Sequence, residues 1–211
     1  MRLSFDAVVT LYAGTMSSPL ALNFLQSASR LSQLPDRSLE LAFVGRSNVG
    51  KSSLINALAN RKKLAKISKS PGATQLINIY ELQPEGSGKW LVDLPGYGFA
   101  KAPKKEIERW RRMIEEYLIE SPTLGGVYVL IDSAVGPTAL DLQTVEWLEH
   151  IDLSYRFVAT KIDKIRSSKS SGRRSELVNK LGVEKSDVVW VSASSGAGIP
   201  RLRSDILDYF A

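Results

Sequence analysis

The chain predicts an α/β domain in three layers, with a mixed six-stranded sheet, one antiparallel strand and helices on both faces. Three observations carry that reading. From Leu39 onward, short β-branched or apolar runs alternate with longer segments of helical period. The first short run, Leu39 to Gly45, reads as a buried strand and leads directly through a turn into a helix. Pro84-Glu85-Gly86-Ser87-Gly88 joins two strand-like runs by a turn-rich connection, which makes a hairpin and turns one strand antiparallel.

Residues 1–38 form a leader. Its apolar stretch Ala7 to Gly14 is short and follows Asp6, so it is not a secretory signal, and Leu22-Asn23-Phe24-Leu25 is a candidate edge strand. A single domain is expected over 39–211. Leu39 to Gly45 is a strand and Lys51 to Asn60 the helix after it. Gln75 to Leu82 and Lys89 to Asp93 are the hairpin strands, and Lys104 to Glu120 is a helix. Val127 to Asp132, Arg156 to Thr160 and Val188 to Ser192 continue the sheet, alternating with helices at Leu140 to His150, Ser175 to Leu181 and Pro200 to Phe210. Arg61 to Thr74 is polar and basic with neither period, and Arg166 to Arg174, rich in Ser, Lys and Arg, reads as a solvated mobile loop.

Composition removes several classes of chemistry. With no cysteine among 211 residues there is no disulfide, thiolate metal site or cysteine nucleophile, and the single histidine, His150, rules out a multi-histidine metal site. No apolar run approaches the roughly 18–20 residues that span a bilayer. The net charge of +6 favours an anionic partner.

The chemistry therefore lies in the loops that leave the strands. Gly45-Arg46-Ser47-Asn48-Val49-Gly50-Lys51-Ser52 fits G-x-x-x-x-G-K-[ST] between a strand and a helix, the context that a phosphate-binding loop requires. Its backbone N–H groups converge on phosphate oxygens, with Ser53 continuing the helix N-terminus. Lys51 neutralises phosphate charge and the Ser52 hydroxyl can ligate Mg²⁺. Asp93-Leu94-Pro95-Gly96 places a carboxylate at a strand end, where it can hold Mg²⁺ through water while the Gly96 N–H faces a γ-phosphate. Thr160-Lys161-Ile162-Asp163 matches [NT]-K-x-D, whose carboxylate accepts from guanine and rejects adenine. Val191-Ser192-Ala193-Ser194 supplies a small-residue loop whose N–H can meet the guanine carbonyl. Asp132 reads as a turn or capping group, His150 as a helix-end residue, and Trp110, Tyr117 and Trp147 as core.

These motifs, together with Ser70-Pro71-Gly72-Ala73-Thr74-Gln75-Leu76-Ile77-Asn78 and Asp93-Leu94-Pro95-Gly96-Tyr97-Gly98-Phe99-Ala100, resemble the EngB family of bacterial ribosome-biogenesis GTP-binding proteins, within the Era-like GTPases. The resemblance spans about residues 20 to 211. It implies a small-GTPase-like P-loop NTPase that binds GTP and GDP with Mg²⁺, hydrolyses GTP through Lys51, Thr74 and Gly96, and serves assembly of the large ribosomal subunit. Thr74 becomes the switch I threonine on Mg²⁺, flanked by Gly72 and Ala73; the family usually has a basic residue where Ala73 stands. Related potassium-activated GTPases make Asn48 a candidate K⁺ ligand. Tyr97 stands where signalling GTPases carry a water-orienting glutamine, so hydrolysis is expected to be slow.

Basic residues flank both switch segments: Arg61, Lys62, Lys63, Lys66 and Lys69 before the first, Lys101, Lys104, Lys105, Arg109, Arg111 and Arg112 after the second. They suggest a face for ribosomal RNA and the large-subunit precursor. The expected protein is a cytoplasmic monomer with a link to septation and cell division and no membrane or DNA partner. Its alternatives are a metabolic P-loop phosphotransferase and a nucleotide-independent RNA-binding module.

Overall fold

The computed structural model describes residues 18–67, 76–83, 85–98 and 103–211. Along them run β1 (Leu22–Ala28), β2 (Leu39–Gly45), α1 (Lys51–Leu58), β3 (Ile77–Leu82), β4 (Lys89–Asp93), α2 (Lys104–Glu120), β5 (Leu124–Asp132), α3 (Ala139–His150), β6 (Tyr155–Thr160), α4 (Ser170–Leu181), β7 (Val188–Trp190) and α5 (Ile199–Tyr209). The strands form one sheet in the order β1-β3-β4-β2-β5-β6-β7.

Strand β2 explains the layering. Its neighbours β4 and β5 both run parallel to it, with Leu39 opposite Lys89 and Phe43 opposite Asp93 on one side and Gly45 opposite Leu130 on the other. Side chains alternate across the sheet, so Ala42 and Val44 enter one core while Leu41 and Phe43 enter the other. Strand β5 repeats the division, with Val127, Val129 and Ile131 against Tyr128 and Leu130. The first core takes Trp110, Met113 and Tyr117 of α2, Leu148 of α3 and Leu177 of α4. The second takes Leu54, Ile55 and Leu58 of α1 and Ile199, Leu202 and Ile206 of α5. Trp110 and Tyr117 are buried and Trp147 packs against the same core, as the sequence suggested.

The one antiparallel strand is β3, opposed to both β1 and β4. The sheet has seven strands rather than six, because Leu22–Ala28 pairs with β3 at the edge. That strand buries only its two ends, and Phe24 and Leu25 remain exposed, so it lacks the alternation that would have declared it. Residues Arg166 to Arg174 are not a loop. A 3₁₀ turn at Ser167–Lys169 leads into α4 at Ser170, and Arg173 is used internally: its Nε donates to the Ser133 carbonyl at 3.0 Å and its Nη2 to that of Ala134 at 2.9 Å. Strand β5 also begins earlier than expected, at Leu124, where Gly125-Gly126 hid its start.

At the N-terminal end of β2, the end remote from Gly45, a fully buried Glu40 carboxylate gathers donors from several elements. It accepts from the Tyr117 hydroxyl at 2.5 Å, from the Ser121 hydroxyl and from Thr123 Oγ1 at 2.8 Å, and pairs with Arg37 Nε at 2.8 Å. Breaking such a group leaves its partners buried and unpaired. Glu40→Ala is expected to lose about 3–5 kcal/mol of stability in urea unfolding, with the nucleotide affinity of the folded protein unchanged.

Candidate functional site

The parallel strands β2, β4, β5, β6 and β7 end at one rim of the sheet. Since β2 lies between β4 and β5, the chain's direction of travel reverses there, and the crevice beyond the strand ends is where open α/β sheets bind ligands. Every sequence motif within the described residues sits at this rim. Gly72, Ala73 and Thr74, like Phe99 to Lys101, lie outside the described residues.

The loop after β2 owes its shape to two residues of positive φ, Asn48 at 63° and Gly50 at 111°. Only glycine is unstrained at the second, and asparagine is among the side chains that best tolerate the first. The Asn48 backbone thus accounts for an asparagine without a cation. Helix α1 starts at Lys51 with no side-chain cap on its first amides, the arrangement that accommodates an anion.

Beside that helix start, Lys51 is 7% and Asp93 1% exposed, with Nζ 4.0 Å from Oδ1. Burial pushes the Lys51 ammonium down and the Asp93 carboxyl up to about 6; the attraction between them and the Ser52 hydroxyl bond to Asp93 offset only part of it. Asp93 Oδ1 is buried with no hydrogen-bond donor. An orphaned carboxylate oxygen next to a serine hydroxyl fits a hard cation that takes oxygen ligands. Among the described residues there is no cluster of three or more His, Cys, Asp or Glu, so a cation here would draw on hydroxyl, water and ligand oxygens.

At the other end of the rim, Thr160 donates its hydroxyl to the Val49 carbonyl at 2.7 Å and Lys161, itself at φ 57°, reaches the Asn48 carbonyl at 2.6 Å. The Asp132 carboxylate fixes that ammonium at 2.6 Å while its other oxygen accepts from the Ala134 amide at 2.9 Å. Asp132 is thus the turn group expected and an ion-pair partner as well. Ser192, fully buried, donates to Asp163 Oδ1 at 2.7 Å, and its Oγ lies 3.1 Å from that of Ser194. The Ser192 bond, with Ser194, holds the Asp163 carboxyl below the usual carboxylate range. Gly50, Thr160, Lys161, Asp163, Val191 and Ala193 are among the residues lining a cavity of about 170 Å³ there.

Similarity to known proteins decides its family. Residues 40–161 match the family described as 50S ribosome-binding GTPase. A probable GTP-binding protein EngB from Rhodospirillum rubrum is 42% identical over 207 residues, which cover 95% of this chain and 90% of that protein. The chain belongs to the EngB family of GTP-binding proteins. The EngB of Desulforamulus reducens is 44% identical over 193 residues, 90% of this chain and 93% of its own. A crystal structure of a probable GTP-binding protein EngB aligns with a TM-score of 0.64 at 26% identity, covering 80% of this chain and 97% of that one. As an EngB protein this chain is a GTP-binding switch of the Era-like superfamily rather than a metabolic kinase or a nucleotide-independent RNA-binding module. Among the described residues no helix is long and apolar enough to cross a membrane.

Sequence reasoning missed the partners that orient the EngB motifs. Asp132 and Asp141 each carry an ion pair across separate elements, to Lys161 and to Arg46, and neither belongs to a motif. The position of Asp132 at a strand end was the available signal. Arg61 Nη1 donates to the Leu22 carbonyl at 3.1 Å, while Arg111 and Arg112 stay exposed on α2 and form surface pairs with Glu115 and Glu108. His150 is exposed in the last turn of α3, as expected.

In the nucleotide-free protein the Asp93 carboxyl, followed by carboxyl-carbon NMR, is expected to titrate near 6. Lys51→Met should move that midpoint further up, because the ammonium pulls it down. The folded pKa exceeds the unfolded one, so Asp93 subtracts stability as pH rises from about 4 to about 6, and the subtraction is complete above that window.

Proposed function

We propose that this EngB protein is a slow GTPase whose nucleotide state controls its docking on the assembling large ribosomal subunit, in the cytoplasm. Guanine is read by Asp163, with Lys161 and the Ser192-Ala193-Ser194 loop around the base. The phosphates lie on the amides of Ser47 to Ser53 with Lys51 beside them. Thr74, Ser52 and Asp93 would hold Mg²⁺, Asp93 through water; the ion, when bound, offsets phosphate charge. Gly72, Ala73, Leu94 and Pro95 complete the shell around the phosphates, and Gly96 offers its amide to the γ-phosphate.

The observation that carries this reading is the Asp163 carboxylate, kept ionised by Ser192 at the mouth of the 170 Å³ cavity. An acceptor-only group so placed takes the paired N–H donors of guanine and meets no such pair on adenine. In support of slow hydrolysis, the Tyr97 hydroxyl is turned onto Asp141 at 2.9 Å, away from any role in orienting water. A docking surface that senses nucleotide is supported by one groove of about 500 Å³, where Lys66 and Arg109 line the same walls as Ser52 and Asp93. Lys62, Lys63 and Lys105 are exposed, whereas Arg61, Arg111 and Arg112 have the partners already described. The family name of the matched segment, 50S ribosome-binding GTPase, points to the same partner.

The nucleotide assignment is tested by comparing GTP, GDP, ATP and xanthosine triphosphate binding. Asp163→Asn should move preference from GTP toward the xanthine nucleotide, since xanthine presents a carbonyl where guanine presents an amine; unchanged discrimination contradicts the assignment. For docking, co-sedimentation with large-subunit particles should be stronger with a non-hydrolysable GTP analogue than with GDP and should weaken steeply with salt. Charge reversal of Lys62, Lys63 and Lys105, which are exposed and do not line the groove that holds Ser52 and Asp93, should weaken it while GTP affinity holds, and association indifferent to nucleotide would refute the switch.

A further inference from the structure

Asp141 lies in the first turn of α3 and is 1% exposed. Part of its role is local. Thr138 donates its backbone N–H to Oδ2 at 2.8 Å and accepts from the Asp141 N–H through Oγ1 at 3.4 Å, which closes a capping box, and its hydroxyl lies a further 2.7 Å from Oδ2. The same carboxylate, however, collects groups from two other elements. Its Oδ1 accepts from the Tyr97 hydroxyl at 2.9 Å, and Arg46 Nε stands 3.1 Å from Oδ2. Arg46 follows Gly45 in the phosphate loop, and Tyr97 follows Gly96.

Those two residues also meet through their backbones. Arg46 and Tyr97 form an isolated parallel bridge, with Ser47 N–H donating to the Tyr97 carbonyl at 2.9 Å and Tyr97 N–H to the Gly45 carbonyl at 3.2 Å. Between them the chains touch: a β-carbon on Gly96 would stand 2.9 Å from the Ser47 nitrogen and 3.0 Å from its α-carbon. The segment that ends in Gly96-Tyr97 is therefore clamped on the phosphate loop twice, by main-chain bonds and by one buried carboxylate that grips a side chain from each. A helix cap alone needs neither the phenol nor the guanidinium, and gathering charge out of water is costly.

We propose that Asp141 is a positioning residue for GTP hydrolysis: by holding Arg46 and Tyr97 on one carboxylate it keeps the Gly96 amide in register with the phosphate loop. This rests on the GTPase reading above. Displacements of about 1 Å in such supports cost up to about 10²-fold in rate.

The test uses the full chain, with steady-state GTP hydrolysis, fluorescent-GDP binding and thermal melting. Asp141→Asn is expected to lower kcat about tenfold while KM and GDP affinity stay within about twofold. Tyr97→Phe, which removes a single hydroxyl, should lower kcat similarly, and the double variant should fall no further than either single one, because the two groups act as a unit. Thr138→Ala removes the cap hydroxyl but leaves the backbone N–H on Asp141, and should keep kcat within about twofold. The inference is overturned if Asp141→Asn and Tyr97→Phe leave kcat unchanged, if their losses add, or if Thr138→Ala reproduces the loss. A wild-type protein that binds neither GTP nor GDP overturns the reading beneath it, whatever the variants do.

Discussion

Everything at the rim depends on the complete enclosure of β2. It has parallel partners on both edges and apolar layers on both faces, so Leu41 to Val44 have no freedom to shift. A one-residue slip would exchange the two cores and expel Phe43 from one of them. The strand's end is thereby fixed in space, and with it the loop from Gly45 to Gly50. The same pairing fixes Asp93 through Phe43, its opposite number across the ladder. Phosphate loop and buried carboxylate thus share one register.

Within that frame, the surroundings of two carboxylates act in opposite directions. Asp93 is stripped of water beside a cation 4.0 Å away that only partly compensates, and its affinity for protons rises. Asp163 accepts from Ser192 and neighbouring donors, and its affinity for protons falls. The first environment suits a group whose missing partner is another cation. The second suits a permanent acceptor of hydrogen bonds. Identical side chains have been given different work by what surrounds them.

The fold was legible in the sequence wherever burial is two-sided or helical period is strong, as in β2, α2 and the run from Val127 to Asp132. At Leu22–Ala28 only a candidate edge strand over Leu22 to Leu25 was legible, because its middle residues face solvent, and the reading failed at Ser170–Arg174, where the polar and basic composition of a helix start imitates a loop. The site was legible through spacing along the chain: the phosphate loop, Asp93 and Thr160 to Asp163 are local patterns, and the rim collects them. What spacing could not convey are contacts between distant elements. Asp132 and Lys161 are neighbours only because β5 and β6 pair, and Asp141 meets Arg46 and Tyr97 only because α3 starts beside the phosphate loop.

The Thr160 hydroxyl on the Val49 carbonyl and the Lys161 ammonium on the Asn48 carbonyl join the loop after β6 to the phosphate loop inside the protein itself. Two segments that would otherwise have to be ordered by a ligand are already held together, so much of the conformational entropy of assembling them is spent during folding. On the function proposed above, a nucleotide meeting this pair finds a largely rigid template, common to its diphosphate and triphosphate forms. Whatever distinguishes those forms must then be carried by parts of the chain outside the template, of which the Asp93–Tyr97 segment is one. The proposed function thereby puts strength of binding and sensitivity to the third phosphate in different pieces of the molecule, so that either can change in evolution with little disturbance to the other.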